Sequence, residues 1–291
     1  MSQFEGIWIP LVTPFRDGRL DLTAARRLAS HLADSGIAGL IVCGTTGEPA
    51  TLGEAEQIAL LDAVIASVDG RCAVVMGVSG NDTGAVAGAA RRFGEFAIAG
   101  LMVTAPYYVR PSQDGIRRHF EAVATATDKP IILYNIPYRT GVNIEVATVK
   151  ALSANPQFVA IKESAGGNMP QLMALIEETP LSVWSGEDHL IFPCLCLGGR
   201  GAASAAAHIR PDLYVAMYRH VQRGELEAAR ALHYRLLPLI RLLFSEPNPG
   251  PVKAALALQG WIADELRLPM TPASAGCREP LRQALTALDQ A

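Results

Sequence analysis

The stretch "NPQFVAIKESAGG" (155–167) runs four apolar residues, Phe158 to Ile161, directly into a lysine, Lys162. A continuous apolar run of this kind is typical of a strand covered on both faces, as in a parallel sheet. Lysine is almost never fully buried unless it has a partner or a function. The stretch therefore predicts a buried parallel strand that ends on a chemically unusual amine.

Seven other short apolar runs share this character, and longer segments with helical periodicity lie between them. The runs cover residues 6–14, 37–44, 71–78, 98–106, 129–137, 181–186 and 199–205, and helices are predicted over 21–35, 54–68, 83–95, 113–127 and 143–153. Asp21, Thr83 and Ser112 are the predicted N-caps of three of these helices. Eight strands with intervening helices predict a closed (β/α)8 TIM barrel, since an open doubly wound sheet normally has fewer strands.

The chain that follows the eighth run is too long for a single closing helix. Two amphipathic helices meet at Arg223-Gly224, a third follows Pro251, and a fourth covers about 278–290. We therefore predict a small C-terminal all-helical appendage. The barrel with its active site is assigned to residues 1–224 and the helical domain to residues 225–291.

The composition excludes several classes of protein. The chain has 291 residues, of which 50% are hydrophobic and 18% charged, with a formal net charge of −3. Because it has no basic stripe, nucleic acid is not an expected partner, and no apolar run is long enough to span a bilayer. Glu5, Pro10 and Pro14 do not fit a signal peptide. We expect a soluble, cytoplasmic protein.

Cysteine and histidine usage gives no reason to expect a metal. The five cysteines lack regular spacing, so we predict free thiols in the core rather than disulfides or a zinc site. The triplet Glu187-Asp188-His189 resembles a metal-binding set, but it lies at the start of a predicted helix, where acidic residues suit the positive helix end. We predict that no metal is bound.

Polar side chains stand at the ends of several predicted strands. They are Thr45, Thr46 and Glu48 after the second strand, Tyr108 after the fourth, Tyr134 in the fifth and Lys162 in the sixth, and a glycine, Gly186, follows the seventh. In a barrel the C-terminal ends of all strands open onto one mouth, where active sites lie. The pattern predicts that these residues surround the Lys162 amine.

A buried amine among hydroxyl groups can perform covalent catalysis. Burial disfavours the ammonium form, and a neutral amine can attack a keto group to form a Schiff base. The protonated imine acidifies the neighbouring carbon, so a proton carrier is needed. Tyr134 lies on the adjacent strand, and Thr45 and Tyr108 can extend a hydroxyl relay towards solvent. Alternatively, Lys162 pairs with a carboxylate and Tyr134 is a core aromatic, but their joint placement favours catalysis.

The motifs along the chain resemble those of the pyruvate-dependent class I aldolase family, which contains N-acetylneuraminate lyase and 4-hydroxy-tetrahydrodipicolinate synthase. They read "LVTPF", "GTTGE", "APYYVRPSQDG", "YNIPYRTG", "AIKES", "SGED", "LGGRGAAS", "EPNPGPVKAAL" and "LRLPMTP". The resemblance implies that Lys162 forms a Schiff base with pyruvate, that Tyr134 donates and accepts protons, and that Thr46 holds the pyruvate carboxylate. It also implies a relay of Thr45, Tyr134 and Tyr108, with Tyr108 reaching in from a neighbouring subunit of a homotetramer built as a dimer of dimers.

Arg139 indicates one branch of this family. It resembles the arginine with which the synthases hold the carboxylate of L-aspartate 4-semialdehyde, and arginine suits bidentate carboxylate recognition. The resemblance therefore implies condensation of pyruvate with that aldehyde to 4-hydroxy-tetrahydrodipicolinate, in lysine and diaminopimelate biosynthesis, without a cofactor. Gly186 and Ala203 complete the implied substrate-binding residues, Ala203 through its backbone carbonyl.

Two other functions stay open from the sequence. A related aldolase would act on a 2-keto-3-deoxy sugar acid or a hydroxy-oxo acid, and a diverged binding protein would hold a keto acid without turning it over.

The residues expected for regulation by lysine also depart from the family pattern. Lysine-inhibited synthases use a serine, two histidines and a glutamate, and the matching positions are Pro49, Glu54, Gln57 and Ala85. We therefore predict weak or no inhibition by free lysine.

Overall fold

Within residues 4–290, which the computed structural model describes, the chain forms ten strands. They are β1 (Gly6–Pro10), β2 (Phe15–Arg16), β3 (Arg19–Leu20), β4 (Gly39–Val42), β5 (Ala73–Val78), β6 (Gly100–Thr104), β7 (Ile131–Asn135), β8 (Phe158–Glu163), β9 (Ser182–Ser185) and β10 (Gly201–Ala203). Eight of them close into a barrel in the order β1-β10-β9-β8-β7-β6-β5-β4, and β2 and β3 form a separate antiparallel hairpin. The predicted (β/α)8 TIM barrel is confirmed.

Twelve α-helices accompany these strands in the described part of the chain. They are α1 (Leu22–Asp34), α2 (Glu54–Val68), α3 (Thr83–Gly94), α4 (Gln113–Thr125), α5 (Pro137–Thr140), α6 (Val146–Leu152), α7 (Met169–Glu178), α8 (Ile191–Cys196), α9 (Pro211–Gln222), α10 (Leu226–Leu243), α11 (Gly250–Leu258) and α12 (Ala275–Gln290). The helices predicted from the sequence are confirmed, although α6 is shorter than predicted. The additional helix α5 begins at a proline, whose fixed φ suits the first turn.

Side-chain caps begin several of these helices. The Asp21 carboxylate accepts the Ala24 N–H at the start of α1, and the Ser112 hydroxyl accepts the Gly115 N–H at the start of α4, as predicted. The prediction for Thr83 was wrong, because the preceding Asp82 caps α3 through the Gly84 N–H at 3.0 Å. A carboxylate caps as well as a hydroxyl does, so two adjacent candidates cannot be ranked from the sequence.

Burial on both faces explains why the strand sequences are continuously apolar. Every residue of β6 and β7 is buried, as expected for barrel strands that pack against side chains on both sides. Between β1 and β4 the packing requires glycine. A side chain at Gly39 would place its Cβ 2.3 Å from the ring of Trp8, which is fully buried. Only a glycine therefore lets these strands approach.

The register of β7 and β8 determines which residues share a face at their C-terminal ends. Tyr134 is paired with Lys162, and Asn135 is paired with Glu163. Successive side chains of a strand point to opposite faces of the sheet. Tyr134 and Lys162 therefore share one face, and Asn135 and Glu163 share the other.

The described residues form two compact units. The first contains the chain up to Gly6 and Val74–Ala203, with strands β6 to β10 and helices α3 to α8. The second contains Ile7–Ala73 and the chain from Ser204 onward, and within it α10 packs against α9, α11 and α12. The boundary between residues 224 and 225 that the sequence indicated stays a prediction.

The five cysteines are all free thiols. Cys43, Cys194 and Cys277 are buried and Cys72 is half-buried, but Cys196 is exposed, so the prediction of a core position was wrong there. Cys196 is the last residue of α8, and its side chain lies on the outer side of that short helix. Among the described residues, no helix is long and apolar enough to cross a membrane.

Candidate active site

Lys162 and Tyr134 form the centre of the candidate site. The Lys162 Nζ atom lies 4.2 Å from the centre of the Tyr134 ring, and the two residues are only 6% and 2% exposed. In the described part of the chain Lys162 forms no ion pair. The alternative that this lysine is a structural partner of a carboxylate is therefore not supported, and the buried amine faces an aromatic ring that carries a hydroxyl group.

Gly186 lies directly beside the lysine. Its N–H donates to the Glu163 carbonyl at 2.8 Å, and a Cβ at this position would be 2.8 Å from Cε of Lys162 and 1.9 Å from Oγ of Ser164. A side chain at residue 186 would therefore occupy the space of the lysine and of the serine. The structure brings Gly186 together with Lys162, as the sequence predicted.

Tyr108 lies on a loop that touches α5, the helix that carries Arg139. Tyr108 is 86% exposed with φ at +72°, and its N–H donates to the Thr140 carbonyl at 3.0 Å. Arg139 is exposed on α5, with its guanidinium 5.8 Å from the centre of the Tyr138 ring, and burial raises the pKa of Tyr138 to about 12. In the described residues no hydrogen bond or ring contact joins either predicted side chain to the amine of the site.

The second unit carries Thr45 and Thr46 in a short 3-10 helix that follows β4. Thr46 is buried and Thr45 is half-buried. The Thr46 hydroxyl accepts a hydrogen bond from Nδ2 of Asn248 at 3.0 Å, and no acceptor for the Thr46 hydroxyl hydrogen is present among residues 4–290. The single hydrogen of the Thr46 hydroxyl therefore has no acceptor among the described residues.

A buried ion pair fixes the end of the same turn. Lys253 Nζ lies 2.6 Å from Oε1 of Glu48, and the two side chains are 0% and 1% exposed. The other carboxylate oxygen accepts the Arg267 N–H at 3.1 Å, and Lys253 Nζ lies 4.4 Å from the centre of the Phe15 ring. Glu48 has φ at +53°, a conformation that non-glycine residues seldom adopt, so these contacts hold the turn in place.

Two carboxyl groups of the first unit have raised pKa values. Burial raises the pKa of Glu163 to about 7, while hydrogen bonds from Asn135 and Gln171 act in the opposite direction. Burial also raises the pKa of Glu187, and nearby Lys162 lowers it. Ala203, the remaining predicted residue, is buried as the last residue of β10.

Glu163, Asn248 and Lys253 have no role predicted from the sequence. Glu163 follows the lysine directly, and its side chain points to the other face of the strand. Asn248 and Lys253 lie in the motif "EPNPGPVKAAL", which has few polar residues, and these indicate buried contacts. A lysine within this otherwise apolar segment indicates a buried cation that needs a partner.

The fold and this geometry define a class of protein, namely (β/α)8 barrels that carry a buried lysine beside a tyrosine at the C-terminal ends of adjacent strands. The model of the dihydrodipicolinate synthetase family matches residues 3–288. The chain is 43% identical over 286 residues to the 4-hydroxy-tetrahydrodipicolinate synthase of Moorella thermoacetica, which covers 97% of this chain and 98% of that protein. The chain belongs to the dihydrodipicolinate synthetase family.

Solved structures agree with this assignment. Dihydrodipicolinate synthase from Thermotoga maritima superposes with a TM-score of 0.96 at 37% identity, over 99% of this chain and 100% of that chain. The synthase from Cyanidioschyzon merolae, solved with lysine bound, has a TM-score of 0.96 at 39% identity and covers 99% of each chain.

Proposed function

We propose that this protein is a Schiff-base-forming synthase that condenses pyruvate with L-aspartate 4-semialdehyde to 4-hydroxy-tetrahydrodipicolinate, in lysine and diaminopimelate biosynthesis. The observation that carries the proposal is the Lys162 amine, which is buried, free of any ion pair in the described residues and 4.2 Å from the Tyr134 ring centre. Family membership over nearly the whole chain supports it.

The chemistry begins with the Lys162 amine, which attacks the keto carbon of pyruvate. Loss of water gives the imine, and loss of a proton from the methyl carbon gives an enamine that attacks the aldehyde carbon. Tyr134, on the adjacent strand, accepts and returns the protons of these steps. The amine of the semialdehyde then closes the ring by displacing Lys162, which leaves the enzyme ready for another cycle.

The other predicted residues take supporting parts in this proposal. Thr46 donates its free hydroxyl hydrogen to the pyruvate carboxylate, and Thr45 extends the proton relay from Tyr134. Arg139, whose guanidinium is exposed on α5, receives the carboxylate of the semialdehyde. Ala203 offers its backbone carbonyl to the substrate.

Gly186 keeps the space beside the amine open for substrate, because any side chain there would collide with Cε of Lys162. No metal or cofactor is included in this reaction, because the imine itself withdraws the electrons; this part of the proposal stays a prediction.

Assembly and location follow from the same proposal. We expect a cytoplasmic homotetramer, built as a dimer of dimers, in which Tyr108 reaches the relay of a neighbouring subunit. The 86% exposure of Tyr108 supports this role, since the side chain is free to contact another chain. Sedimentation at several protein concentrations tests the assembly. A strictly monomeric enzyme with full activity would contradict the shared relay.

The test of the function is borohydride reduction in the presence of pyruvate, followed by peptide mass spectrometry. A reduced pyruvyl adduct on Lys162, absent in the Lys162→Ala variant, is the expected result. A folded wild-type protein without the adduct would overturn the proposal and favour a keto-acid-binding protein. Turnover is then compared between the semialdehyde and sugar-derived aldehydes. Faster turnover of the sugar-derived aldehydes would overturn the synthase function in favour of an aldolase that acts on 2-keto-3-deoxy sugar acids.

A further inference from the structure

Two buried polar side chains stand behind the lysine and the tyrosine of the proposed site. Asn135 follows Tyr134 on β7, Glu163 follows Lys162 on β8, and each pair is in register across the two strands. Asn135 is fully buried and Glu163 is 5% exposed. Such groups are costly to bury unless they are hydrogen-bonded, so their contacts need an explanation.

The contacts join the two strand ends to one another. Nδ2 of Asn135 lies 3.1 and 3.0 Å from the two carboxylate oxygens of Glu163. Its Oδ1 accepts the Ile144 N–H at 2.9 Å, which fixes the amide so that the NH2 group faces the carboxylate. The orientation of Asn135 therefore requires Glu163 to be an acceptor.

Two further amides complete the cluster from outside the strands. Gln171, on α7, donates through Nε2 to Glu163 at 3.2 Å and to Oδ1 of Asn143 at 3.1 Å. Asn143 also accepts from Nδ2 of Asn135 at 2.8 Å, and its own amide donates to Oε1 of Gln171 at 2.8 Å. Each member thus holds the next in one orientation, which makes the cluster rigid.

We propose that Asn135 and Glu163 are positioning residues, whose side-chain bond across β7 and β8 holds the Lys162 amine over the Tyr134 ring. The inference rests on the proposed function and goes beyond it, because neither side chain touches the substrate. A relative shift of the two strand ends would displace both reacting groups, and a misplacement of about 1 Å can cost on the order of a hundredfold in rate.

The Glu163→Gln variant tests this inference. It keeps the size of the side chain but brings an NH2 group against the N–H donors of Asn135 and Gln171. We expect the rate of borohydride-trappable imine formation at saturating pyruvate to fall about 10- to 100-fold, with a change of less than threefold in the pyruvate concentration that gives half saturation. A loss of this kind separates positioning of the amine from binding of the keto acid.

A double variant that exchanges the donor and the acceptor between positions 135 and 163, here called the swapped pair, tests whether the lost rate can be restored. In the double variant Asn135→Asp/Glu163→Gln the donor and the acceptor exchange strands, and a hydrogen bond between the two positions is restored when the amides of Asn143 and Gln171 turn over to follow the exchange. We expect its rate of imine formation to be at least tenfold higher than that of Glu163→Gln. The matched control is Gln171→Met, which removes the bond from α7 to the same carboxylate and both bonds to Asn143 but leaves the bond between the strand ends in place, and it should change the rate less than threefold.

The outcomes distinguish failure of the proposed function from failure of the positioning role. Wild-type protein without the pyruvyl adduct would overturn the proposed function together with this inference. An adduct in wild type with an unchanged rate in Glu163→Gln, or a swapped pair that is no faster than the single variant, would overturn the positioning role alone. If Glu163→Gln does not fold, Asn135→Ser must show the same loss of rate for the inference to stand.

Discussion

Replacing Lys253 by methionine should strongly destabilise the protein. The ammonium lies 2.6 Å from Glu48 and 4.4 Å from the Phe15 ring centre, and it is fully buried. Methionine fills much of the same volume but leaves the Glu48 carboxylate buried, with the Arg267 N–H as its remaining donor in the described residues. The cost comes from this uncompensated charge.

The magnitude follows from the burial of the pair. Removing one partner of a buried ion pair typically costs about 3–5 kcal/mol, because the remaining charge keeps its desolvation penalty. For a chain of this size each kcal/mol lowers the melting temperature by roughly 2–4 °C. We therefore expect Lys253→Met to lose about 10 °C, and Lys253→Met/Glu48→Gln to lose less, since the second change removes the unpaired charge.

Urea unfolding of the single and double variants measures these differences directly. The matched control is Lys150→Met, which breaks the pair between Lys150 and Glu178 at 3.3 Å, where the side chains are 60% and 44% exposed. Exposed pairs contribute about 0–1 kcal/mol, so this variant should be nearly as stable as wild type. A loss below about 1 kcal/mol in Lys253→Met, or a double variant less stable than the single, would refute the reasoning.

Four further predictions test other parts of the molecule. The pKa of Glu163 is raised from 4.5 to about 7, so its contribution to stability is full below pH 4.5 and is lost as the pH rises through 7. Between pH 5 and 8, wild type should therefore lose about 2.5 kcal/mol of unfolding free energy relative to Glu163→Gln, and parallel pH profiles in urea would contradict this. Asn248→Ala should raise about tenfold the pyruvate concentration needed for half-maximal trapping, because Thr46 loses its 3.0 Å partner, and an unchanged titration would exclude this role. Gly186→Ala should abolish trapping on Lys162, since its Cβ would lie 2.8 Å from Cε; a normal adduct yield would show that the lysine can move aside. Free lysine should inhibit turnover only weakly, and inhibition well below millimolar concentration would contradict the sequence-based prediction.

The fold could be predicted because its signals are local. A barrel strand is covered on both faces, so each run is apolar throughout, and the helices between them keep their own period. The N-cap prediction failed where two adjacent residues can cap a helix with nearly equal free energy. At Asp82 and Thr83, the upstream carboxylate caps α3. The prediction of a core position failed for Cys196, because a short helix with an exposed end does not show its outer face in the sequence.

The candidate site was predicted only in part, for a related reason. Strand ends could be located, and this was sufficient to place Lys162 beside Tyr134 and Gly186. The contacts that hold these residues are hydrogen bonds between positions far apart in the chain. Lys253 and Glu48 are separated by 205 residues, and no local pattern pairs them. Which buried polar residues become partners is decided by the closed barrel rather than by any segment.

The two buried lysines, Lys162 and Lys253, have different surroundings in the fold. Lys253 has a carboxylate at 2.6 Å; burial lowers the pKa of this lysine, and the Glu48 charge acts in the opposite direction. Lys162 is followed directly by a glutamate, yet strand alternation turns Glu163 to the other face, where amide donors from Asn135 and Gln171 bind the carboxylate. The charge next in sequence is thus kept from pairing with the amine. A register shift of one residue would instead turn Lys162 away from the face that carries Tyr134, and the proposed role of the bond between Asn135 and Glu163 is to oppose such a shift.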